Sequence, residues 1–586
     1  MRNSSMSIRA TAQSTARVAA TWSAAVVTVL ALAAMLIAGS KPAEANWLAP
    51  KQVVENADIY LKTSVGLPDG SAWLIWYDGN TREIWAQKIS ASGTPLPSTL
   101  MLLRDNAEFA AYLSADVSSE GEVTVAWRRL DEANQSLVEA RRISPEGELD
   151  PDVYTLRSTN ALLQRVKVAT RPDGVSTVIW EDGTLDDVVT RRIDSDGTIG
   201  PIVEWITADV ASGEPSIVAA PEGSPKEGEF YVTWIQIDRD PNDFNKASYV
   251  VHGQSLLANG NKGTHNILTP ASDIRVVSNY FPIPHYLSDG STIVTWQRDA
   301  VGSGIVARRV SPAGVPAPET EPFPVSNWVP RDHMSVVDSE DRLTVMYAVG
   351  LNYSLFEYRV RTLHPDGSLG PALDPFGVAT TDAWLEDMAL TITPTDDLFV
   401  GGMIYFDESE YPDEPDSLRF RHIKPDGTLG EMKTLGEEYY GPDLAPGAGG
   451  TVHAIFDRWI SGTQGLWTMR YDPNATGELK INGISSKPKK VKRGKSATVT
   501  VKVKNTGDVA VSSVKVCTRL SKSLKKVLGN KCVKAGTIAA GKTKSVKVKV
   551  KVKPKAKTGK TYKPKFTVTG NGVKKAVKTG KVKVAG

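Results

Sequence analysis

The chain has 586 residues with 69 Lys+Arg, 66 Asp+Glu and two cysteines, a length that calls for several domains or an array of repeats rather than one ordinary core. The formal net charge of +3 conceals two opposed stretches: residues 46–479 hold 33 basic against 64 acidic residues, and residues 480–586 hold 32 basic residues and a single acid, Asp508. That asymmetry excludes a uniformly charged surface, and no apolar run after the N-terminal one is long enough to span a bilayer.

The N-terminus reads as a targeting segment. Arg2, Arg9 and Arg17 precede an apolar run from Val18 to Ala38, and Ala43-Glu44-Ala45 follows as a small-x-small cleavage pattern. This predicts a signal peptide over residues 1–45, export to the cell envelope or beyond, and no transmembrane span after cleavage. An uncleaved anchor is the alternative. With no sorting motif near Gly586, covalent attachment is not expected.

From residue 46 to 477 one pattern recurs. Six residues after a turn residue stands a large side chain: Gly70 gives Trp76, Gly121 gives Trp127, Gly174 gives Trp180, Gly228 gives Trp234 and Gly290 gives Trp296. Asp341, Asp397 and Gly450 lead in the same way to Tyr347, Met403 and Phe456. Alternating apolar residues fill each interval, the period-2 mark of a strand. A period of about 54 residues built from strands and turns predicts an all-β fold, an eight-bladed β-propeller, or a seven-bladed one if the degenerate copy at Asp397 is not a separate blade. Each unit reads as four short strands, the third carrying a basic ending such as Arg191-Arg192-Ile193. Because the Trp and Arg residues repeat with the fold, they are read as scaffold. The segment Gln52–Ala57 resembles the end of the first unit and is expected to supply the strand missing from the last one.

The acids gather in the longer loops between strands, opposite the Asp-Gly turns. Candidate ligand-binding residues are Asp182, Asp186 and Asp187 in one loop and Asp407, Glu408, Glu410 and Asp413 in another. An acidic face dotted with aromatics suits a cation, a basic peptide, a protein or a glycan. Asp238-Arg239-Asp240-Pro241-Asn242 begins like a Ca2+ loop, but Asp243 stands where Gly is needed and Tyr249 where Glu belongs; a structural Ca2+ there is the one cofactor the sequence suggests. The seven histidines show no zinc spacing, and no nucleophile elbow or phosphate-binding loop occurs. No catalytic residue is assigned.

From residue 478 the composition turns to Lys, Val, Thr and Gly. Residues 496–504 alternate apolar with polar residues and 546–553 read Val-Lys four times over, so such a strand buries its Val face and presents a row of lysines. Lys547, Lys549, Lys551 and Lys553 are the candidate polyanion-binding residues. Cys517 and Cys532, the only cysteines, are expected to form one disulfide in an exported protein. Six or seven such strands predict an immunoglobulin-like sandwich over 478–586. The run from Gly494 to Asp508, with Asn505-Thr506-Gly507 at its end and Ala540-Gly541-Lys542-Thr543 before a later strand, resembles bacterial CARDB and related Ig-like surface stalk domains. The resemblance implies an extracellular accessory or adhesion role without catalytic residues.

Together these readings predict a secreted, monomeric binding or structural protein of the cell envelope. Its basic domain would contact an anionic envelope polymer or glycan and its acidic ring a protein or glycan, with nucleic acid disfavoured. The alternative is a propeller-type glycan-active enzyme, a hydrolase or lyase, carrying an accessory Ig-like domain.

Overall fold

The computed structural model describes residues 46–586 except 56, 186, 206–211, 241–242, 270–277, 300–303, 319, 325–332, 353–354, 378–382, 407–414, 461, 530 and 572. The chain divides into two compact units, Trp47–Asp472 and Pro473–Gly586. Both are built from strands. Among the described residues the one α-helix is the single turn Lys522–Lys525, and no helix is long and apolar enough to cross a membrane.

The stretch 163–204 shows the plan of the first unit. Leu163–Thr170, Ser176–Asp182, Asp187–Ile193 and Ile199–Glu204 form a four-stranded antiparallel sheet in sequence order. The first connection is an Asp-Gly turn in which Gly174 takes φ +81° and Asp173 Oδ1 accepts from the Val175 amide at 3.3 Å. Among the described residues six sheets follow this plan, a seventh has three strands and an eighth has three consecutive strands joined by N-terminal ones; they are numbered 1–8 by their innermost strands: Ile59–Gly66, Glu108–Val117, Leu163–Thr170, Ser212–Ala219, Ser278–Tyr286, His333–Val337 (the three-stranded sheet), Ala383–Ile392 and Tyr439–Pro446 (the sheet joined by N-terminal strands). Each innermost strand packs beside the next, and the eighth packs against the first. The circuit is a β-propeller-like ring. In sheet 8, Lys51–Glu55 pairs with Thr463–Asp472, with Gln52 opposite Trp467 and Val54 opposite Leu466, so the start of the ring completes its last sheet as the sequence led one to expect.

A sheet inside such a ring is covered on both faces, which is why Val178, Ile179 and Trp180 are all fully buried. The eight residues at the repeating offset, Trp76, Trp127, Trp180, Trp234, Trp296, Tyr347, Met403 and Phe456, are each no more than 3% exposed. Their cores lie between neighbours: Trp180 packs with Ala126, Val138 and Leu156 of sheet 2, and Trp234 with Ala169, Ile179 and Trp205 of sheet 3. These rings join the sheets and offer no stacking surface to a sugar.

The second unit packs a three-stranded sheet (Leu479–Lys487, Ser496–Asn505, Thr543–Lys551) and a four-stranded sheet (Val511–Arg519, Cys532–Ile538, Lys565–Thr569, Ala576–Thr579) around one core that includes Val499, Val501, Val516, Val548 and Phe566. Asn505 is fully buried; its amide donates to the carbonyls of Val509 at 2.6 Å and Ile538 at 3.0 Å while its oxygen accepts from the Gly507 amide at 3.1 Å. The Asn-Thr-Gly signature is therefore a folding device. Cys517 and Cys532 are register partners on adjacent strands and form the disulfide, with an S–S distance of 2.04 Å.

Candidate functional site

Six of the eight innermost strands break their ladder at the same point. In sheet 3, Gln164 pairs with Glu181 and Lys167 with Ile179, so Arg165 and Val166 share the place opposite Trp180. Tyr112, Glu214, Phe281, Asp387 and Gly441 occupy the corresponding bulges, opposite or beside Trp127, Trp234, Trp296, Met403 and Phe456. All six adopt a left-handed backbone, with φ between +51° and +57°. For a residue with a side chain that conformation costs about 1 kcal/mol or more, and such strain persists only where the surrounding fold imposes it. Pro215, Pro282 and Pro442 follow three of the bulges, where no ladder bond is demanded of their nitrogen.

The bulges give the ring a mouth whose chemistry varies where the rest repeats. Tyr112, Arg165, Glu214 and Phe281 line one cavity of about 490 Å3 with Lys167 and His333. It sits at the end of the ring away from the Asp-Gly turns, the same end as the hairpin that carries Glu181 and Asp182. Arg165 bridges two acids, Nη1 to Glu181 Oε1 and Nη2 to Glu214 Oε1, both at 2.8 Å. Glu181 Oε1 also accepts from the Glu214 amide at 2.7 Å, and Glu214 Oε2 from the Phe281 amide at 3.1 Å. Burial raises the Glu214 carboxyl above its usual range, with Arg165 working against the shift.

Lys167 is reached by solvent yet walled in by the lining of that cavity. Desolvation holds its ammonium below the usual value, with Glu214 opposing, and Nζ donates to Ser216 Oγ at 3.4 Å. Behind His333 of that cavity a hydroxyl relay joins two histidines: His285 Nε2 lies 2.7 Å from Ser335 Oγ, which lies 2.9 Å from Thr295 Oγ1, which lies 3.2 Å from His333 Nε2. Burial keeps both rings neutral, pushing His285 down to about 4 and His333 to about 3. At the opposite end a cavity of about 420 Å3 includes Asp116, whose carboxyl burial pushes up to about 6 although it accepts from the Thr170 amide at 2.7 Å.

Of the acids singled out from the sequence, Asp186, Asp407, Glu408, Glu410 and Asp413 lie outside the described residues, as do Pro241 and Asn242 of the Ca2+-like loop and the whole of the predicted signal peptide. Asp182 and Asp187 are register partners at the end of their hairpin, and both are buried. Asp182 is fully inaccessible, paired with Arg157 Nε at 2.7 Å and capping the Thr184 amide at 3.0 Å. Among the described residues no group of three His, Cys, Asp or Glu side chains could hold a metal ion.

In the second unit Lys547, Lys549 and Lys551 form a row on the exposed side of their strand, opposite Thr500, Thr498 and Ser496 of the central strand. Lys553 falls beyond the strand, where its ammonium donates to the Lys525 carbonyl at 2.8 Å. Lys502 and Lys504 extend the basic face along the central strand. Strand geometry spaces like-facing lysines about 7 Å apart and neighbouring strands about 4.8 Å apart.

The bulge residues carry a signal that only becomes visible with the register. Tyr112, Arg165, Phe281 and Gly441 each stand 15 positions before the buried aromatic, and Pro282 and Pro442 follow two of them.

No protein-family model and no curated protein matches the chain. Among solved structures it is similar to the BP39L lectin from Burkholderia pseudomallei at 9% identity and a TM-score of 0.43, covering 66% of this chain and 100% of that one. The β-propeller domain of the Trilobed protease from Pyrococcus furiosus gives 9% identity and a TM-score of 0.36, covering 64% and 97%. An α-L-arabinanase from Penicillium chrysogenum gives 12% identity and a TM-score of 0.32, covering 54% and 98%.

Proposed function

We propose that this is an exported, non-catalytic binding protein of the cell envelope, an eight-bladed propeller and an Ig-like stalk domain, which attaches to anionic envelope polymer through its lysine-faced sheet. The observation that carries the reading is the row Lys547, Lys549 and Lys551 beside Thr500, Thr498 and Ser496, a lattice of cations and hydroxyls on one exposed sheet face. Lysine on an exposed strand also discourages edge pairing. A unit with 32 basic residues and two acids, Glu478 and Asp508, goes well beyond that need, and its charge favours a polyanion in a salt-dependent way. Repeating phosphates or carboxylates on a flexible polymer can follow such a row.

The ring, in this reading, presents its bulge-lined mouth to a separate ligand, with Tyr112 and Phe281 as partly exposed contact surfaces and Lys167 as a cation held by no carboxylate among the described residues. Glycoside hydrolysis calls for two carboxylates facing one bond. The cavity beside sheets 2–6 supplies one, Glu214, which Arg165 engages; the sheet 7 bulge adds Asp387, so the binding reading rests on Arg165 holding Glu214.

A binding array of envelope glycans and of polymers such as poly(glycerol phosphate) and polygalacturonate tests this with the full chain. Lys547→Gln/Lys549→Gln/Lys551→Gln should lose the polymers alone, and Tyr112→Ala/Phe281→Ala should lose only the ring's ligand. Turnover of any glycan on the array would refute the non-catalytic reading.

A further inference from the structure

The repeat serves as an internal control, because a residue that departs from it without serving the fold has another reason to be there. Three departures meet between sheets 4 and 5. Tyr231 stands three residues before Trp234, at a position that varies around the ring (Trp73, Thr124, Thr177, Ile293, Thr344, Val400 and His453 in sheets 1, 2, 3, 5, 6, 7 and 8) and holds a phenol in sheet 4 alone. Gly253 pairs with Thr233; the matching residues opposite the position before the buried aromatic are Ala86, Ala140, Thr190 and Ala307 in sheets 1, 2, 3 and 5. A Cβ at Gly253 would lie 2.5 Å from the Tyr231 hydroxyl oxygen, so this glycine makes room for the phenol. Tyr286 ends its innermost strand opposite Thr292, where the other sheets have Gly66, Val117, Thr170, Ala219, Val337, Ile392 and Pro446.

The two phenols do not complete the scaffold's hydrogen bonding. In the sheet 2–3 interface Thr124 Oγ1 meets Ser176 Oγ at 2.7 Å, whereas the hydroxyls of Tyr231 and Tyr286 have no hydrogen-bond partner. Glu229 Oε2 likewise has none, and Asn266 Nδ2 faces the Tyr231 hydroxyl without reaching hydrogen-bond geometry. All four residues line one cavity of about 200 Å3, and Tyr231, Tyr286 and Asn266 are each at least nine-tenths buried. Burial raises both phenols, the Asn266 amide moderating the shift of Tyr231 and Glu229 adding to that of Tyr286. Leaving buried polar groups without good partners is costly, and a cluster of them around one space brings a structural interface no return.

The geometry points to a binding site for one neutral, polyhydroxylated molecule of monosaccharide size between sheets 4 and 5. Glu229 Oε1 is engaged by Lys226 Nζ at 3.2 Å, so the lining's charges cancel and an ionic ligand has no advantage. What the cavity offers is two hydroxyls that donate and accept, an amide that donates and a carboxylate oxygen that accepts. Vicinal hydroxyls match that set, and Val310 and Leu257 supply the apolar wall a pyranose ring face can cover. The site is separate from the channel mouth and needs neither that mouth nor the lysine face.

The test is titration of the full chain with glucose, galactose, mannose, fucose and N-acetylglucosamine, followed by calorimetry and saturation-transfer NMR. At least one of them should bind saturably. Tyr231→Phe and Tyr286→Phe keep the rings and should each weaken it about tenfold, as the loss of a hydrogen bond to a buried partner requires. Tyr112→Ala/Phe281→Ala at the channel mouth should leave it unchanged. The proposal is overturned if none of the five binds and an experimental structure shows ordered water only in the cavity, or if binding is indifferent to both Tyr→Phe changes.

Discussion

Arg191 of sheet 3 donates through Nη1 to the carbonyl of Leu156 in sheet 2 at 2.7 Å, while its Nε donates to Gly200 of its own sheet at 2.8 Å. The contact is one of a series. Arg141, Arg308 and Arg421 each reach the carbonyl nine residues on through Nε, and through Nη1 the carbonyls of Leu103, Leu268 and Pro375 in the preceding repeat. Gln254 takes the same place in sheet 4 and bonds Gly263, again nine residues on, at 2.8 Å. The repeated arginine is a clamp between successive sheets, which explains why it recurs with the fold.

Arg191→Ala should therefore destabilise the ring by about 2 kcal/mol, since it leaves two carbonyls short of a donor that is hard to replace. Ligand binding at saturating concentration should be untouched. Urea denaturation followed by tryptophan fluorescence measures the first and the binding array the second; a loss of binding with unchanged stability would mean the clamp reading is wrong.

Trp180→Ala should cost about 3–5 kcal/mol, the penalty for emptying a fully buried aromatic site, and Trp180→Phe distinctly less. A tryptophan kept for sugar stacking would show the opposite pattern, lost affinity at preserved stability.

Asp116 gives a pH dependence with a definite sign. Burial pushes its carboxyl up to about 6 in the folded ring, above the ordinary value of about 4, so the folded state holds the proton more tightly than the unfolded chain. Ionisation is then a cost, full above the folded value and gone once pH falls below the unfolded one. Asp116→Asn should raise the melting temperature at neutral pH and lose that advantage on acidification to about pH 4. A gain that does not change with pH would contradict the assignment. His285 runs the other way: its folded value near 4 means stability is lost as pH falls from its ordinary value towards 4, so His285→Gln should blunt the acid sensitivity of the wild-type ring.

Removing the disulfide, as Cys517→Ser/Cys532→Ser, should lower the stability of the lysine-rich unit by roughly 3 kcal/mol, the loop-closure value for a span of this length. The bridge closes a sequence separation of 15 residues. Differential scanning calorimetry with and without reductant reads the change; an unchanged transition would show that the strand pairing alone holds the segment.

The ring was legible because its sequence repeats one physical device, a turn followed at a fixed offset by a side chain that must be buried. Trp180 and Arg191 could be set aside as scaffold for the same reason, and the closing strand was visible as an echo of the first repeat at the N-terminus. The bulges were not legible. Arg165, Tyr112 and Phe281 lie in strands whose alternation is broken by the bulge itself, and Glu214 stands 20 residues before Trp234 instead of 15, displaced by the longer turn around 221–228. Nor could sequence join His285 to His333, which lie on neighbouring strands 48 positions apart. Acidity in a loop also proved a poor guide to exposure, because Asp182 is drawn inward by Arg157. The lysine row was the easier case: strict alternation fixes its face, and only Lys553 steps out of line at the strand's end.

The central claim is polymer attachment, and its most direct test is the salt dependence of retention of the full chain on immobilised poly(glycerol phosphate) and polygalacturonate. Retention should be strong at low salt and fall steeply as the Debye length shrinks from about 30 Å at 0.01 M to about 8 Å at 0.15 M. The Lys547→Gln/Lys549→Gln/Lys551→Gln protein, folded to the same melting temperature, should elute at markedly lower salt. Retention that ignores salt, or a triple variant that elutes with the wild type, would contradict it.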